Sequence, residues 1–390
     1  MNIHFLLPLA LRSIPGGHQV QCDKTAAALR DLGAQVTVGY AGQPPPRSAD
    51  IVHWLGGAAA DIRSIRRSHI PIALSTIYCS RSYRRGTHRR ASPYATTGRD
   101  LRLILSLGAK LGQGRLVDAC YKLSQPELSL AQALEAVDLL LPNSPGEADD
   151  LRHDFDITAL VYPVPNALDR NAFMTFPADA GRPIDVLYVA RFEPHKNQLG
   201  LVRALRKTGL QVVLAGPDHP HHPTYREHCL RAARGASVQV LAAIPHEKLP
   251  DLYRRAKVHV MPSWYETTGL TSLEAAAAGC QVVTTARGHA REYFGELANY
   301  CDPADERSIA IAVERALSSP APAALRDHVL RHFTWEEAAR ATLRAYHAVL
   351  DGEELQPPTW PSPPRRATQS TGWGTDTDNK TSPQAALRVH

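Results

Sequence analysis

The fold of this chain is decided by residues 261–279, which read MPSWYETTGLTSLEAAAAG. The short run before them, Lys257 to Val260, predicts a β-strand that leads into a loop. The pattern then predicts a helix that opens near Gly269 and closes at Gly279, because glycine adopts the left-handed conformation after a helix at little cost. A strand, a loop and a helix in this order are ordinary parts of an α/β protein.

Two glutamates flank the start of this predicted helix, Glu266 and Glu274, with seven residues between them. The first turn of a helix offers unpaired N–H groups and the positive end of the helix dipole, so it favours anions. Carboxylates on either side of such a turn are well placed to accept hydrogen bonds from sugar hydroxyls. The stretch indicates a site for a polyol joined to phosphate, although glutamate is also common in first turns because of the dipole alone.

The length, composition and net charge of the chain limit the classes of protein to which it can belong. A length of 390 residues is typical of two domains with some excess, and 44% hydrophobic residues suffice for sizeable cores. The net charge of +6 includes many arginines, which suit bidentate contact with phosphate, but it does not require a nucleic-acid partner. The six cysteines form no Cys-x-x-Cys pair, which favours a reducing cytoplasm over a zinc ribbon or a disulfide scaffold.

The first residues, Ile3 to Leu11, are apolar enough to resemble the core of a signal peptide. They have no basic leader and no small-residue cleavage site, so a strand followed by a glycine loop is the better interpretation. The sequence has no run of about 18 apolar residues of the kind that spans a membrane. We expect a cytoplasmic protein that could lie peripherally at the inner face of the membrane.

Two series of alternating strands and helices follow each other, with six predicted strands before residue 168 and five after it. This alternation predicts parallel, doubly wound sheets and a ligand cleft between two domains. We predict a first domain at 1–168, a second at 169–334 and a helix at 335–352. Residues 353–390 form a Pro/Ser/Thr-rich tail that we expect to be disordered.

Two loops of the first half are candidates for contact with a ligand. Gly16-Gly17 follows the first predicted strand, where glycine lets a backbone approach a ligand closely; a plain tight turn is the alternative. Arg81 to Arg90 carries five arginines, one histidine and no acidic residue. It predicts either a solvated loop or contact with something anionic, such as a phospholipid surface or a phosphorylated acceptor.

Arg191 and Lys196 occupy one strand-to-helix loop of the second half and could converge on the diphosphate that the Gly269 turn also faces. The alternative for either residue is an ordinary surface charge. Together with other short motifs, this loop makes the chain resemble a family 4 retaining glycosyltransferase of the GT-B fold. The matching motifs are Gly16-Gly17, Pro142-Asn143-Ser144, Val164-Pro165-Asn166, Arg191…Lys196, Gly216, Glu266…Glu274, Gly288…Glu292 and Trp335, which cover most of residues 1–350.

The resemblance implies an α/β chain with two tandem Rossmann-like domains, a cleft between them and a last helix that crosses back to the first domain. It implies that Arg191 and Lys196 grip the diphosphate, that Glu274 holds the ribose and that Glu266 holds the transferred sugar, so that Glu266, Arg191 and Lys196 form the catalytic set. The remaining implied donor contacts are Gly17, Gly216, Ile244, Thr268, Gly269 and Leu270. The implied acceptor side contains Gly16, His18 and Tyr78.

The chemistry of glycosyl transfer requires stabilisation of a departing nucleoside diphosphate. Two cations and a helix N-terminus supply this without a metal. Asp376 and Asp378 have the Asp-x-Asp spacing of the metal motif in the other glycosyltransferase fold, but they lie in the predicted tail. We expect no metal and no cofactor besides the nucleotide-sugar donor. The resemblance further implies a same-face reaction in which the leaving phosphate takes the proton of the acceptor, so no protein nucleophile is predicted.

Three positions depart from the family pattern. Thr268 stands where an aromatic residue is usual, Tyr78 where many members have a histidine, and His289 where the second glycine of a pair is usual. These departures concern the pocket for the donor sugar and the catalytic contact on the acceptor side. His53 and His18 are conceivable substitutes, with a core or loop histidine as the alternative for each.

We predict transfer of a hexose-type sugar to a glycan, lipid-linked or other anionic acceptor, in the synthesis of cell-surface polysaccharide or glycoconjugate. The Arg81 to Arg90 loop could add peripheral contact with an anionic membrane, and no nucleic acid is expected. A nucleotide-sugar 2-epimerase on the same fold would need catalytic carboxylates and a histidine in the first domain, where no convincing set is found. A non-catalytic basic protein with a degenerate sugar-nucleotide site is the third hypothesis.

Overall fold

The computed structural model describes residues 1–8, 17–55, 65–66, 68–81, 83, 126–174, 181–220 and 222–364. In this part of the chain two six-stranded sheets follow each other, and neighbouring strands in each sheet pair in parallel. The prediction of two parallel α/β halves is therefore confirmed. None of the described helices is long and apolar enough to cross a membrane.

The first sheet has the strand order β2-β1-β3-β4-β5-β6. The four inner strands of this sheet are largely buried, as is usual for a parallel sheet with helices on its faces, whereas the two edge strands are partly exposed. The strands are β1 (Asn2–Leu7), β2 (Gln35–Tyr40), β3 (Ile51–Leu55), β4 (Ile72–Ser75), β5 (Leu139–Leu141) and β6 (Leu160–Val161). The described helices of this half are α1 (Gly17–Asp31), α2 (Pro126–Leu134) and α3 (Pro145–Asp154).

The second sheet has the order β12-β11-β10-β7-β8-β9, so the direction of winding reverses at β7. Its strands are β7 (Ile184–Val189), β8 (Val212–Ala215), β9 (Val238–Leu241), β10 (Ala256–Met261), β11 (Gln281–Thr285) and β12 (Asn299–Cys301). Its helices are α4 (Gln198–Leu205), α5 (Tyr225–Ala232), α6 (Leu249–Arg254), α7 (Leu270–Ala277), α8 (Ala290–Phe294), α9 (Glu306–Leu317) and α10 (Ala323–His332). In an open parallel sheet, ligands bind beyond the carboxyl ends of the strands at such a reversal.

The last helix, α11 (Trp335–Asp351), begins in the second domain and packs on the first. Its residues Ala339, Ala345 and Tyr346 lie in the same buried cluster as Phe5 of β1. The chain crosses between the domains near Leu168 and again near Phe333. These two crossings are adjacent, since the backbone N–H of Leu168 donates to Phe333 O at 2.9 Å. A helix that returns to the first domain ties the two halves together at this crossing.

The structure differs from the sequence prediction at two places. The second sheet has a sixth strand, β12, which is only three residues long and escapes detection by periodicity. In addition, part of the predicted disordered tail packs on the folded domains, with Leu355 against the buried cluster of the first and Trp360 against that of the second. Trp360 there lies edge-on to Tyr293, with ring centroids 5.5 Å apart, and its Nε1 donates to Glu292 O at 3.1 Å. Residues 365–390 lie outside the described part of the chain.

Candidate active site

Two loops meet at the carboxyl edge of the second sheet, where the strand order reverses. The loop after β7 carries Arg191 and Lys196, and the loop after β10 carries Glu266 and leads into α7. A cavity of about 430 Å³ lies between these loops and the first domain. A smaller cavity of about 200 Å³ shares Gly17, Arg191 and Leu270 with it and is also lined by Gly216 and Ile244 of the second domain.

Lys196 and Glu266 form the central ion pair of the cleft. Lys196 Nζ donates to Glu266 Oε2 at 2.9 Å, and the two side chains are 20% and 10% exposed. Burial by itself raises the pKa of Glu266, but the charge and hydrogen bond of Lys196 outweigh it, so the pKa is lowered overall. Glu266 is therefore a carboxylate at neutral pH and accepts hydrogen bonds.

The loop that carries Lys196 is fastened to the loop that carries Glu266. Pro194–Lys196 forms a single 3-10 turn, and Asn197 follows in the left-handed conformation with φ of 59°. The Asn197 side chain donates to Pro262 O at 3.1 Å, while Trp264 N donates to His195 O at 2.9 Å. These bonds fix the position of Lys196 relative to Glu266, although the two residues belong to different βα units.

Arg191 lies at the junction of the two cavities. Its guanidinium is 3.6 Å from Glu193 Oε1, and the side chain is 34% exposed. The neighbouring Gly216, which follows β8, has φ of 151°, and a Cβ there would lie 1.9 Å from Ala190 O. Glycine is therefore required at this point, where the end of β8 passes directly against the backbone next to Arg191.

Glu274 lies in the second turn of α7 and lines the smaller cavity. Tyr253 Oη donates to Glu274 Oε2 at 2.9 Å, and His246 Nε2 is 2.7 Å from Glu274 Oε1. The hydrogen bond from His246 to this carboxylate raises the pKa of the imidazole. Ile244 and Leu249 give the same cavity an apolar wall beside this polar group.

All ten residues that the sequence assigns to the donor line one or both cavities. They are Gly17, Arg191, Lys196, Gly216, Ile244, Glu266, Thr268, Gly269, Leu270 and Glu274. Gly269, with φ of 81°, is the N-cap residue before α7, and it lines the larger cavity together with Leu270 and Thr271 of the first helical turn. Thr268 is buried and accepts a hydrogen bond from Asn166 Nδ2 at 3.2 Å.

The acceptor side is described only in part. Gly16 lies outside the described residues, as does the side chain of His18 and most of the Arg81 to Arg90 stretch. Tyr78 lines the larger cavity, but its hydroxyl donates to Asp154 Oδ2 at 2.7 Å and its ring packs on Phe155. The hydroxyl of Tyr78 is therefore held by the first domain.

His53 is a core residue. It is 2% exposed, with Nε2 2.7 Å from Ser75 Oγ and Nδ1 2.5 Å from Tyr346 Oη. Burial lowers the pKa of His53 to about 3, so the ring is neutral. Its role is to join β3 to the last helix, and it does not replace the missing histidine of the cleft.

Sequence reasoning missed one group of residues beside the cleft. Tyr265 lines the larger cavity, and its hydroxyl contacts Asp150 of the first domain and His289 of the second. The departure at His289 is the one signal that could have drawn attention to this group. Among the described residues, no group of three or more His, Cys, Asp or Glu side chains could hold a metal ion, and metal independence stays a prediction.

Residues 169–330 match the family described as Glycosyl transferases group 1. The glycogen synthase of Mycobacterium tuberculosis is 34% identical over an alignment of 195 residues, and the match covers 46% of this chain and 46% of that relative. The chain thus spans about half the length of the curated relatives that it matches.

Two solved structures cover nearly the whole chain. Sucrose-phosphate synthase from Thermosynechococcus elongatus superimposes with a TM-score of 0.68 at 19% identity, covering 90% of this chain and 100% of that one. Anabaena HepE in complex with UDP-glucose superimposes with a TM-score of 0.57 at 16% identity, covering 90% and 98%. The match to this family lies in the second half of the chain. The described parts of both halves together adopt the GT-B fold, as the resemblance implied.

Proposed function

We propose that this protein is a retaining glycosyltransferase, which moves a sugar from a nucleoside-diphosphate donor to an acceptor hydroxyl. The observation that carries the proposal is the Lys196–Glu266 ion pair beside the N-terminus of α7, inside a cleft between two domains. The group 1 domain and the similarity to a glycogen synthase support this class of reaction.

The diphosphate of the donor fits the region where positive charge converges. Lys196 and Arg191 supply two cations, and the first turn of α7 supplies N–H groups and the positive end of its dipole. These groups are in place before the donor binds, so they stabilise the charge that grows on the leaving phosphate without a large rearrangement. No metal is needed for this stabilisation in our proposal.

The nucleoside fits the smaller cavity. The Glu274 carboxylate can accept hydrogen bonds from the ribose hydroxyls, and the wall formed by Ile244 and Leu249 suits the flat face of a base. Glu266 then lies on the side toward the larger cavity, where the transferred sugar would bind. Because the pKa of Glu266 is lowered, its role is to accept bonds from sugar hydroxyls rather than to donate a proton.

The chemical step breaks the bond between the anomeric carbon and the phosphate oxygen. The acceptor oxygen forms the new bond on the same face of the sugar and loses its proton to the departing phosphate, so atoms and charge balance without a protein nucleophile. Lys196 stabilises the departing phosphate in this step. We propose a glycan, a lipid-linked sugar or another anionic molecule as the acceptor, in the synthesis of a polysaccharide or glycoconjugate in the cytoplasm.

Titration calorimetry with UDP, ADP and GDP, followed by incubation with UDP-glucose, tests the proposal. We expect at least one nucleoside diphosphate to bind, and we expect donor turnover to persist in EDTA with the anomeric configuration retained by NMR. UDP-glucose is the first probe because the HepE complex contains it. Binding without turnover would favour the non-catalytic hypothesis, and conversion of the donor into its 2-epimer would identify an epimerase.

Contact with an anionic membrane is a separate part of the proposal, and it is motivated by the five arginines between 81 and 90. Arg81 itself is held by the first domain, because its backbone N–H donates to Asp154 Oδ2 at 2.7 Å and its guanidinium lies over the ring of Phe155. The contact would therefore fall to Arg84, Arg85, Arg89 and Arg90. Neutralising these four should reduce sedimentation with phosphatidylserine vesicles at low salt, and unchanged binding would dismiss the idea.

A further inference from the structure

A group of polar side chains joins the two domains beside the cleft. We call it the interdomain cluster, and it contains Asp150 of α3, Tyr265 after β10, and His289 and Glu292 at the start of α8. The side chains of Asp150, His289 and Glu292 are 29%, 12% and 26% exposed. A partly buried group of charges strengthens its mutual interactions because water screens them less.

The imidazole of His289 faces a carboxylate on each side. Its Nε2 lies 3.1 Å from Asp150 Oδ2 and its Nδ1 lies 3.2 Å from Glu292 Oε1. The Tyr265 hydroxyl is 2.9 Å from the same Nε2 and donates to Asp150 Oδ2 at 3.1 Å. An imidazolium can donate to both carboxylates at once, whereas a neutral ring carries one N–H and can donate to only one of them.

The surrounding charges favour this protonated form. Burial alone lowers the pKa of His289, but the hydrogen bond and charge of Glu292 and the charges of Asp150 and Glu147 raise it further than burial lowers it. A neutral ring with Nε2 unprotonated can accept a hydrogen bond from the Tyr265 hydroxyl, but it no longer donates to Asp150 and carries no charge to attract it. The ionic contact is therefore favourable where the carboxylates are ionised and His289 is protonated, and it is lost as the pH rises through the raised pKa of His289.

Glu292 forms the second half of this contact. Its carboxylate accepts hydrogen bonds from Gly146 N at 3.1 and 3.2 Å and from Ser144 Oγ at 3.1 Å. Gly146 lies in the first turn of α3, so a carboxylate of the second domain occupies the helix N-terminus of the first. His289, which contacts this carboxylate and Asp150, is thus bonded to both domains.

The backbone of His289 also connects the cluster to the cleft. His289 N donates to Glu266 O at 2.9 Å. The adjacent Gly288 has φ of 95°, and a Cβ there would lie 2.3 Å from Glu266 O, so the two segments are in close contact. A shift of His289 relative to the first domain must therefore displace the backbone of Glu266.

We propose that His289 is a positioning residue, which in its imidazolium form clamps the first domain to the second. Through its backbone contact with Glu266, the clamp fixes the position of Glu266 relative to the first domain, where the acceptor is proposed to bind. Deprotonation releases the clamp. The effect on transfer rests on the proposed function, whereas the clamp itself can be tested without any substrate.

The test of the clamp is hydrogen–deuterium exchange of α3 in the full chain, at about pH 6 and about pH 9, corrected for intrinsic exchange rates. In the wild type we expect exchange to be about tenfold slower at the lower pH. His289→Gln should remove this difference, and His289→Lys, which keeps a positive charge at both pH values, should restore slow exchange at the higher one. His347→Gln is the matched control, because His347 pairs with Asp351 at 3.0 Å on the exposed side of α11.

Two results of this experiment would overturn the clamp. One is exchange in His289→Gln that equals the wild type at both pH values, and the other is an equal effect of His347→Gln. If turnover of UDP-glucose or another donor is found, kcat should fall on the alkaline side with little change in the KM of the donor, and His289→Gln should abolish this dependence. Absence of turnover with every donor would refute the proposed function, while the exchange result would still decide the clamp.

Discussion

Lys196 Nζ lies 2.9 Å from Glu266 Oε2, although the two residues are 70 positions apart in the chain. The pair joins the loops that follow the two strands on either side of the reversal in the second sheet. It places a cation next to the anion site of α7 and a carboxylate next to the space for a sugar.

Replacing Lys196 with alanine should weaken binding of the preferred nucleoside diphosphate by about 2–3 kcal/mol, the scale of a charge-assisted hydrogen bond. Calorimetry measures this loss. Lys257→Ala is the matched control, because Lys257 is an exposed lysine of the same domain that pairs with Asp185 at 2.7 Å. If both variants bind the diphosphate as the wild type does, the phosphate site has been assigned to the wrong residues.

The loss of stability caused by the same substitution should depend on pH. The pKa of Glu266 is lowered from its usual 4.5, so its pairing with Lys196 stabilises the fold above that value and is lost as the pH falls through the lowered pKa. Thermal melts of Lys196→Ala and wild type should therefore differ at neutral pH and converge in acid. A difference that persists unchanged in strong acid would mean that the ion pair does not contribute to stability.

Replacing Glu274 with glutamine should reduce discrimination between ribose and 2′-deoxyribose. The carboxylate accepts from Tyr253 and contacts His246, and it has further lone pairs for a sugar hydroxyl. We expect the ratio of affinities for UDP and 2′-deoxy-UDP to fall about tenfold, while the affinity for the deoxy compound changes little. Glu314→Gln on the exposed face of α9 serves as control, and an equal loss for both nucleotides in Glu274→Gln would argue against a ribose contact.

Shortening the chain should separate its packed end from the remainder of the tail. A variant that stops at residue 364 should melt like the full chain, whereas one that stops at 355 should lose about 1–3 kcal/mol. The loss is expected because Trp360 packs against Tyr293 and Phe333 of the second domain. Trp360→Ala in the full chain should reproduce most of it. Equal melting temperatures for all four proteins would show that this packing contributes nothing to stability.

Sequence patterns predicted those features of the fold that depend on residues close together in the chain. Each strand and the loop after it belong to one βα unit, so period and turn residues sufficed to predict 11 strands and to select the loops with Arg191, Lys196 and Glu266. The three-residue strand β12 was missed because a strand this short shows no period. Trp360 was assigned to a disordered tail because the composition of that segment is rich in proline. Composition does not reveal that this one aromatic side chain packs against the buried cluster of the second domain.

The order of the elements and the chemical groups that follow each strand can be read from the amino-acid pattern alone. Which of those groups come into contact depends on the three-dimensional packing of the chain. It put His53 against Tyr346 in the core, turned the hydroxyl of Tyr78 toward Asp154, and brought Asp150 to His289 across 139 positions of chain. The physical reason is that local conformation depends on neighbours in the sequence. Contact between the two domains depends instead on the packing of surfaces that no short-range pattern encodes.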